Sequence, residues 1–103
     1  MIVDLVPSLT SQQIINCSQN DTKLRKWAFE LSANNVLIQP NGSFSLVFPR
    51  GEIPLTKEGG SLLCDCTEEL SAECGMFPCK IKITSGEEVL YSSIITLHCE
   101  VKP

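Results

Sequence analysis

The chain is short of the residues that most catalytic and nucleic-acid sites are built from. It has one histidine, one tryptophan and one tyrosine, and aromatics make up only 6% of its 103 residues, so a core must lean on aliphatic side chains and on cysteine. Eight Lys and Arg stand against twelve Asp and Glu, a formal net charge of -4. Binding a phosphate backbone needs a basic surface, so the acidic balance disfavours nucleic acid and none is expected as a partner. The one basic cluster, Lys23, Arg25 and Lys26, reads as a solvated strand edge. No run approaches the roughly 20 apolar residues of a membrane helix, and no membrane association is expected.

The usual chemical motifs are missing too. There is no G-x-G-x-x-G, no Walker A loop, no H-E-x-x-H and no EF-hand pattern. No sequence-local Ser/His/Asp or Cys/His arrangement surrounds His98. The paired acids Glu68-Glu69 and Glu87-Glu88 sit in turn signals and solvate them. The expectation is a non-enzymatic protein with no catalytic residues, no metal, no cofactor and no small-molecule substrate.

What the chain does have is strand periodicity. Phe77, Cys79, Ile81 and Ile83 alternate with Pro78, Lys80 and Lys82. After the turn Thr84-Ser85-Gly86-Glu87-Glu88, a second run puts Ile95, Leu97, Cys99 and Val101 on one face and Thr96, His98 and Glu100 on the other. Period-two alternation across a Gly-centred turn predicts a long antiparallel hairpin over the last third of the chain. Upstream, Ile14-Ile15, Trp27/Phe29/Leu31, Val36-Leu37-Ile38, Phe44/Leu46/Phe48 and Leu62 to Cys66 read as further strands. They are separated by Pro7, by Ser18 to Thr22, by Asn34-Asn35, by Pro40-Asn41-Gly42 and by Pro49 to Glu52. Ile53-Pro54-Leu55 belongs to an edge or a loop, because proline cannot donate to a central ladder. Lys57 to Gly60 reads as flexible, and Thr67 caps the only candidate helical turn, Thr67 to Ala72. About seven short strands with frequent turns predict an all-β chain: one antiparallel β-sandwich of immunoglobulin-like type, with residues 1–103 as a single domain.

Six cysteines in so short a chain admit three readings. Cys64, Cys66, Cys79 and Cys99 lie in register with apolar neighbours and stand where Val or Ala could, as buried free thiols. Cys64, Cys66, Cys74 and Cys79 could instead supply a zinc site, although their spacing is not that of C-x2-C knuckles. One or two disulfides are the third reading, with Cys79 and Cys99 on neighbouring strands as the leading pair. The start Met1 to Pro7 lacks a basic region and is broken by Asp4, so it does not read as a secretory signal. With Met1 as the natural start, the expectation is a cytosolic product with reduced thiols. The sequons at Asn16, Asn20 and Asn41 would then be idle.

Two stretches carry a family likeness. One is Gln19-Asn20-Asp21-Thr22-Lys23-Leu24-Arg25-Lys26-Trp27-Ala28-Phe29-Glu30-Leu31; the other runs from Leu70 through Gly75-Met76-Phe77-Pro78-Cys79-Lys80-Ile81-Lys82-Ile83, the Ser85-Gly86-Glu87 turn and the closing strand to Glu100. Together they resemble the immunoglobulin-like N-terminal domain of the upper baseplate proteins of tailed phages. In that family a "GDT-R" turn opens a strand, and a "PG-Y-aromatic-E-I-I" strand precedes a Gly turn and a final strand. Cys74 stands where the family has proline, Pro78 interrupts the following strand, and cysteines replace aliphatics.

The resemblance implies a virion structural protein made in the bacterial host cytoplasm. The family domain mounts a longer protein, whereas this chain stops as the sandwich closes, which implies a free-standing adaptor or decoration module. Its partners would be other virion proteins of the tail, baseplate or capsid, in a symmetric multi-copy assembly. The candidate docking contacts are the segment Ile2 to Val6 (Ile2, Val3 and Leu5), the loop Arg50 to Gly60 (Arg50, Ile53 and Leu55) and His98 on the last strand. The alternatives are a secreted, disulfide-stapled recognition domain and a structural zinc module.

Overall fold

The computed structural model describes residues 1–5, 13–34 and 36–101. The expected breaks at Pro7 and at Asn35 fall outside that set. Eleven strands form among the described residues, and no helix: β1 (Ile2–Asp4), β2 (Gln13–Ser18), β3 (Lys26–Ala33), β4 (Val36–Ile38), β5 (Ser43–Phe48), β6 (Gly51–Pro54), β7 (Thr56–Glu58), β8 (Ser61–Asp65), β9 (Gly75–Ser85), β10 (Glu88–Tyr91) and β11 (Ile95–Glu100). They build two sheets, one ordered β1-β3-β8-β7 with β4 also on β3, the other β2-β11-β9-β5-β6 with β10 also on β9.

The all-β sandwich expected from the alternation is what the chain forms, with two additions. The expected seven strands become eleven, because short ladders such as β6, β7 and β10 fill stretches that read as turns. The sheets are mixed rather than purely antiparallel. β1 runs parallel to β3 (Val3 opposite Leu31), and β2 runs parallel to β11 (Ile15 opposite Leu97). Lys57 to Gly60, expected to be flexible, holds most of β7 and the turn that pairs it with β8.

Alternation decides what is buried. In β5, Phe44, Leu46 and Phe48 point in; in β9, Cys79, Ile81 and Ile83 do; in β11, Ile95, Leu97 and Cys99 do. These meet Val3, Phe29, Leu31, Leu62 and Cys64 of the other sheet in one apolar cluster. Full burial of a large aliphatic or aromatic side chain contributes about 1.5–3 kcal/mol, so this cluster dominates the stability of the sandwich.

The closing hairpin is real but has a break in its second arm. Gly86, at φ 62, and Glu87 form the two-residue turn between β9 and β10. A positive φ at the first position only is the type II′ arrangement, which matches the twist of the flanking strands. Tyr91 then faces Lys82 and Ile95 faces Cys79, so four steps on one strand oppose three on the other. The extra residue is a bulge at Ser92. Pro78 lies opposite Thr96 of β11, but alternation from the Ile81–Ser92 bond turns its nitrogen to the other side, where pairing with β5 has ended at Lys80, so no ladder bond needs an N–H there.

At the far end a small polar knot ties the sheets together. Asp21 accepts from the Ser18 amide (2.8 Å) and from Arg25 Nε (3.0 Å), which holds its carboxyl below the usual range. Its main-chain carbonyl accepts from Ser71 Oγ at 2.6 Å. Thr67 caps the turn as expected, through the Leu70 amide at 3.2 Å, and that turn buries Leu70 completely without growing into a helix.

Candidate docking surface

The structure buries three of the seven docking contacts expected from sequence, Val3, Leu5 and Ile53. Val3 is fully buried and Leu5 nearly so: pairing in register with β3 makes β1 a member of the sheet, and alternate side chains must then enter the core. Among the described residues of that segment the outward face holds Ile2, exposed, and Asp4, half-buried; Val6 lies outside them. Ile53 is buried from β6, and Leu55 is half-buried against the core with its amide donating to the Phe44 carbonyl at 2.9 Å. Arg50 donates to the Glu69 carbonyl and pairs with Glu73 at 3.4 Å, so it clamps the β5–β6 turn onto the capped turn. His98 is half-buried, its Nδ1 3.2 Å from Asn16 Oδ1 on the neighbouring strand. Val3, Leu5 and Ile53 are therefore core residues, and Arg50 and His98 have intramolecular partners.

The basic cluster is largely neutralised as well. Arg25 pairs with Asp21, and Lys26 Nζ lies 2.9 Å from Asp65.

The cysteines follow the buried-thiol reading. Cys17, Cys64, Cys66, Cys79 and Cys99 are buried and free, while Cys74 is exposed. Burial pushes the Cys64 thiol up to about 12 and the Cys79 thiol up to about 11, since a thiolate is poorly solvated in an apolar core. The proposed zinc set is not assembled: among the described residues no group of three or more His, Cys, Asp or Glu is placed to hold a metal. The expected Cys79–Cys99 disulfide fails on register. Cys79 faces Ile95 and Cys99 faces Gly75, four positions apart. At about 3.3 Å per residue that is roughly 13 Å, beyond the ~7 Å that a disulfide spans.

Of the exposed apolar side chains, which include Leu24, Val36, Leu37 and Met76, four are gathered on β10 and its continuation. Val89, Leu90, Tyr91 and Ile94 are 49%, 50%, 45% and 47% exposed. β10 pairs with β9 on one side, and no strand among the described residues pairs on the other. Ladder alternation turns the main-chain groups of Val89 and Tyr91 toward that open edge. Tyr91 and Ile94 also border an apolar groove floored by Val47, Pro49, Pro78 and Lys80 on the outer face of the sheet. A second crevice, between the sheets at Leu31, Ile38, Phe44 and Leu62, encloses about 10 Å³, too little for a ligand.

Sequence reasoning missed this strand because Glu88 to Tyr91 does not alternate. Its signal was the opposite one: three consecutive apolar residues directly after a Gly turn, which no strand can bury on a single face. Compared with known proteins, the chain matches no family model and no curated protein.

Proposed function

We propose that this chain is a non-enzymatic structural module of a tailed-phage virion, an immunoglobulin-like adaptor or decoration protein that docks on other virion proteins through the open edge of β10. The observation that carries the docking part is that edge itself: a ladder with no outer partner strand among the described residues, flanked by Val89, Leu90, Tyr91 and Ile94, each about half exposed. Soluble β-proteins usually blunt such edges with charge, proline or a covering loop, because an open edge recruits another strand. A partner strand laid against β10 would satisfy the outward main-chain groups and cover the apolar side chains. The phage assignment is supported by the likeness of the Gln19–Leu31 and Leu70–Glu100 stretches to upper baseplate domains.

Magnitude favours a multi-copy setting. Covering the exposed half of each of these four side chains is worth roughly 1 kcal/mol apiece, before the cost of association. One such contact is weak alone and effective when repeated by symmetry.

Peptide mass spectrometry of purified phage particles tests the assignment. The chain should be present at a stoichiometry fixed relative to tail or capsid proteins, and Leu90→Lys should reduce its incorporation. Absence from washed particles overturns the virion reading; unchanged incorporation of Leu90→Lys overturns the role of β10.

A secreted recognition domain is the second reading, favoured by the exposure of all three sequon asparagines, Asn16, Asn20 and Asn41. Glycan-bearing peptides from the natural source would establish it.

A further inference from the structure

Cys17 and Cys99 are register partners on the parallel strands β2 and β11, and both side chains turn into the core. Neighbouring strands lie about 4.8 Å apart, inside the Cα separation that disulfides occupy. The register does for this pair what it denies to Cys79 and Cys99. The two thiols also interact with each other, and Cys66, just beyond the end of β8, approaches Cys17. We propose that Cys17 and Cys99 are a disulfide site, a dithiol in reducing surroundings that closes into a cross-strand bond when the chain meets a disulfide oxidant.

The chemistry balances with oxidised glutathione as oxidant. The Cys17 thiolate attacks the glutathione disulfide, forming a mixed disulfide and expelling one glutathione thiolate. The Cys99 thiolate then attacks the Cys17 sulfur and expels the second. Two protein thiols are oxidised, one glutathione disulfide is reduced to two thiols, and the protons pass to solvent and to the departing thiolates.

Access is the slow step. Both sulfurs are buried, and burial together with the neighbouring thiols raises the Cys17 pKa, so the closed sandwich offers little thiolate to an oxidant. Among the described residues β2 pairs only with β11, at the margin of its sheet. Opening that one ladder exposes both sulfurs while the rest of the sandwich stays folded. The product would tie residue 17 to residue 99 and pin β2, an edge strand, to the strand beside it. The inference stands on register and burial, and is independent of whether the chain belongs to a virion or is secreted.

The full chain carrying Cys74→Ser, which removes the exposed thiol, is treated with oxidised glutathione in two ways: as the native protein, and during refolding from denaturant in a glutathione redox buffer. Free thiols are then alkylated under denaturing conditions and the peptides mapped. The expected result is protection of two thiols, a peptide joining Cys17 to Cys99, a higher melting temperature for the oxidised form, and faster closure of the native protein in sub-denaturing urea. Adding Cys17→Ser should abolish the protection. Five alkylated thiols in both treatments overturn the proposal, as does a dominant crosslink through Cys64, Cys66 or Cys79.

Discussion

Ser92→Ala should destabilise the sandwich far more than the loss of one hydroxyl suggests. The bulge between β10 and β11 shifts the second arm of the hairpin by one residue, so the Ile81 amide has no main-chain carbonyl opposite it. Ser92 Oγ takes that place, accepting from Ile81 N at 2.9 Å while donating to the Ser93 carbonyl at 2.8 Å. The Ser92 amide returns a bond to the Ile81 carbonyl at 2.9 Å. Ser92 and Ile81 are both fully buried, so no water can replace the hydroxyl once it is removed. An unpaired buried donor costs about 1–3 kcal/mol. At about 2 kcal/mol, a domain of this size should melt roughly 8–16 °C lower. Urea unfolding of Ser92→Ala beside Ser45→Ala supplies the comparison, since Ser45 bonds Glu52 at the surface of the same sheet and its loss should stay within about 0.5 kcal/mol. Amide exchange at Ile81 gives the local readout and should accelerate in Ser92→Ala. Equal stability of the two variants, with Ile81 still protected, would refute the account of the bulge.

Three further outcomes follow from the same geometry. Cys64 and Cys79 have folded values of about 12 and about 11 against 9.0 for a free thiol; above pH 9 the unfolded chain therefore releases protons that the folded chain retains, and stability falls as pH rises. Each thiol adds a slope of up to about 1.4 kcal/mol per pH unit between pH 9 and its folded value, so urea titrations at pH 8 to 11 under reducing conditions should steepen accordingly and Cys79→Ala should flatten them. Gly42 has φ 133, and a Cβ there would collide with the Thr84 carbonyl oxygen, so Gly42→Ala should cost more than about 1 kcal/mol in calorimetry. Tyr91→Ala removes a side chain that is 45% exposed; it should leave the melting temperature within a few degrees while weakening retention in particles, and a collapse in stability would return Tyr91 to the core.

The contrast between the two classes of docking residue shows where sequence reading works and where it stops. Phe44, Leu46 and Phe48, or Cys79, Ile81 and Ile83, are legible as core because each lies in a strand whose polar neighbours mark the solvent face. Ile2, Val3 and Leu5 carry no such contrast over so few residues. That they form a parallel strand on β3, with Val3 sealed in the core, depends on a partner 28 positions along the chain (Val3 opposite Leu31). Arg50 looked free because its acceptors, Glu69 and Glu73, belong to a turn that only the fold brings near. β10 was hidden for a different reason: four exposed residues after a turn look like loop until β9 is seen beside them.

Local alternation and turn chemistry were enough to determine an all-β sandwich, most of its strands, the Gly86 turn and the burial of Cys64, Cys66, Cys79 and Cys99, because each of these depends on residues within a few positions of one another. The tertiary structure decided the parallel pairings of β1 and β2, the Ser92 bulge, the exposed edge of β10, and which cysteine faces which. Those are matters of register between distant segments. Shifting a strand by one residue exchanges its faces, and the shift is set by the summed fit of the whole core rather than by any local pattern.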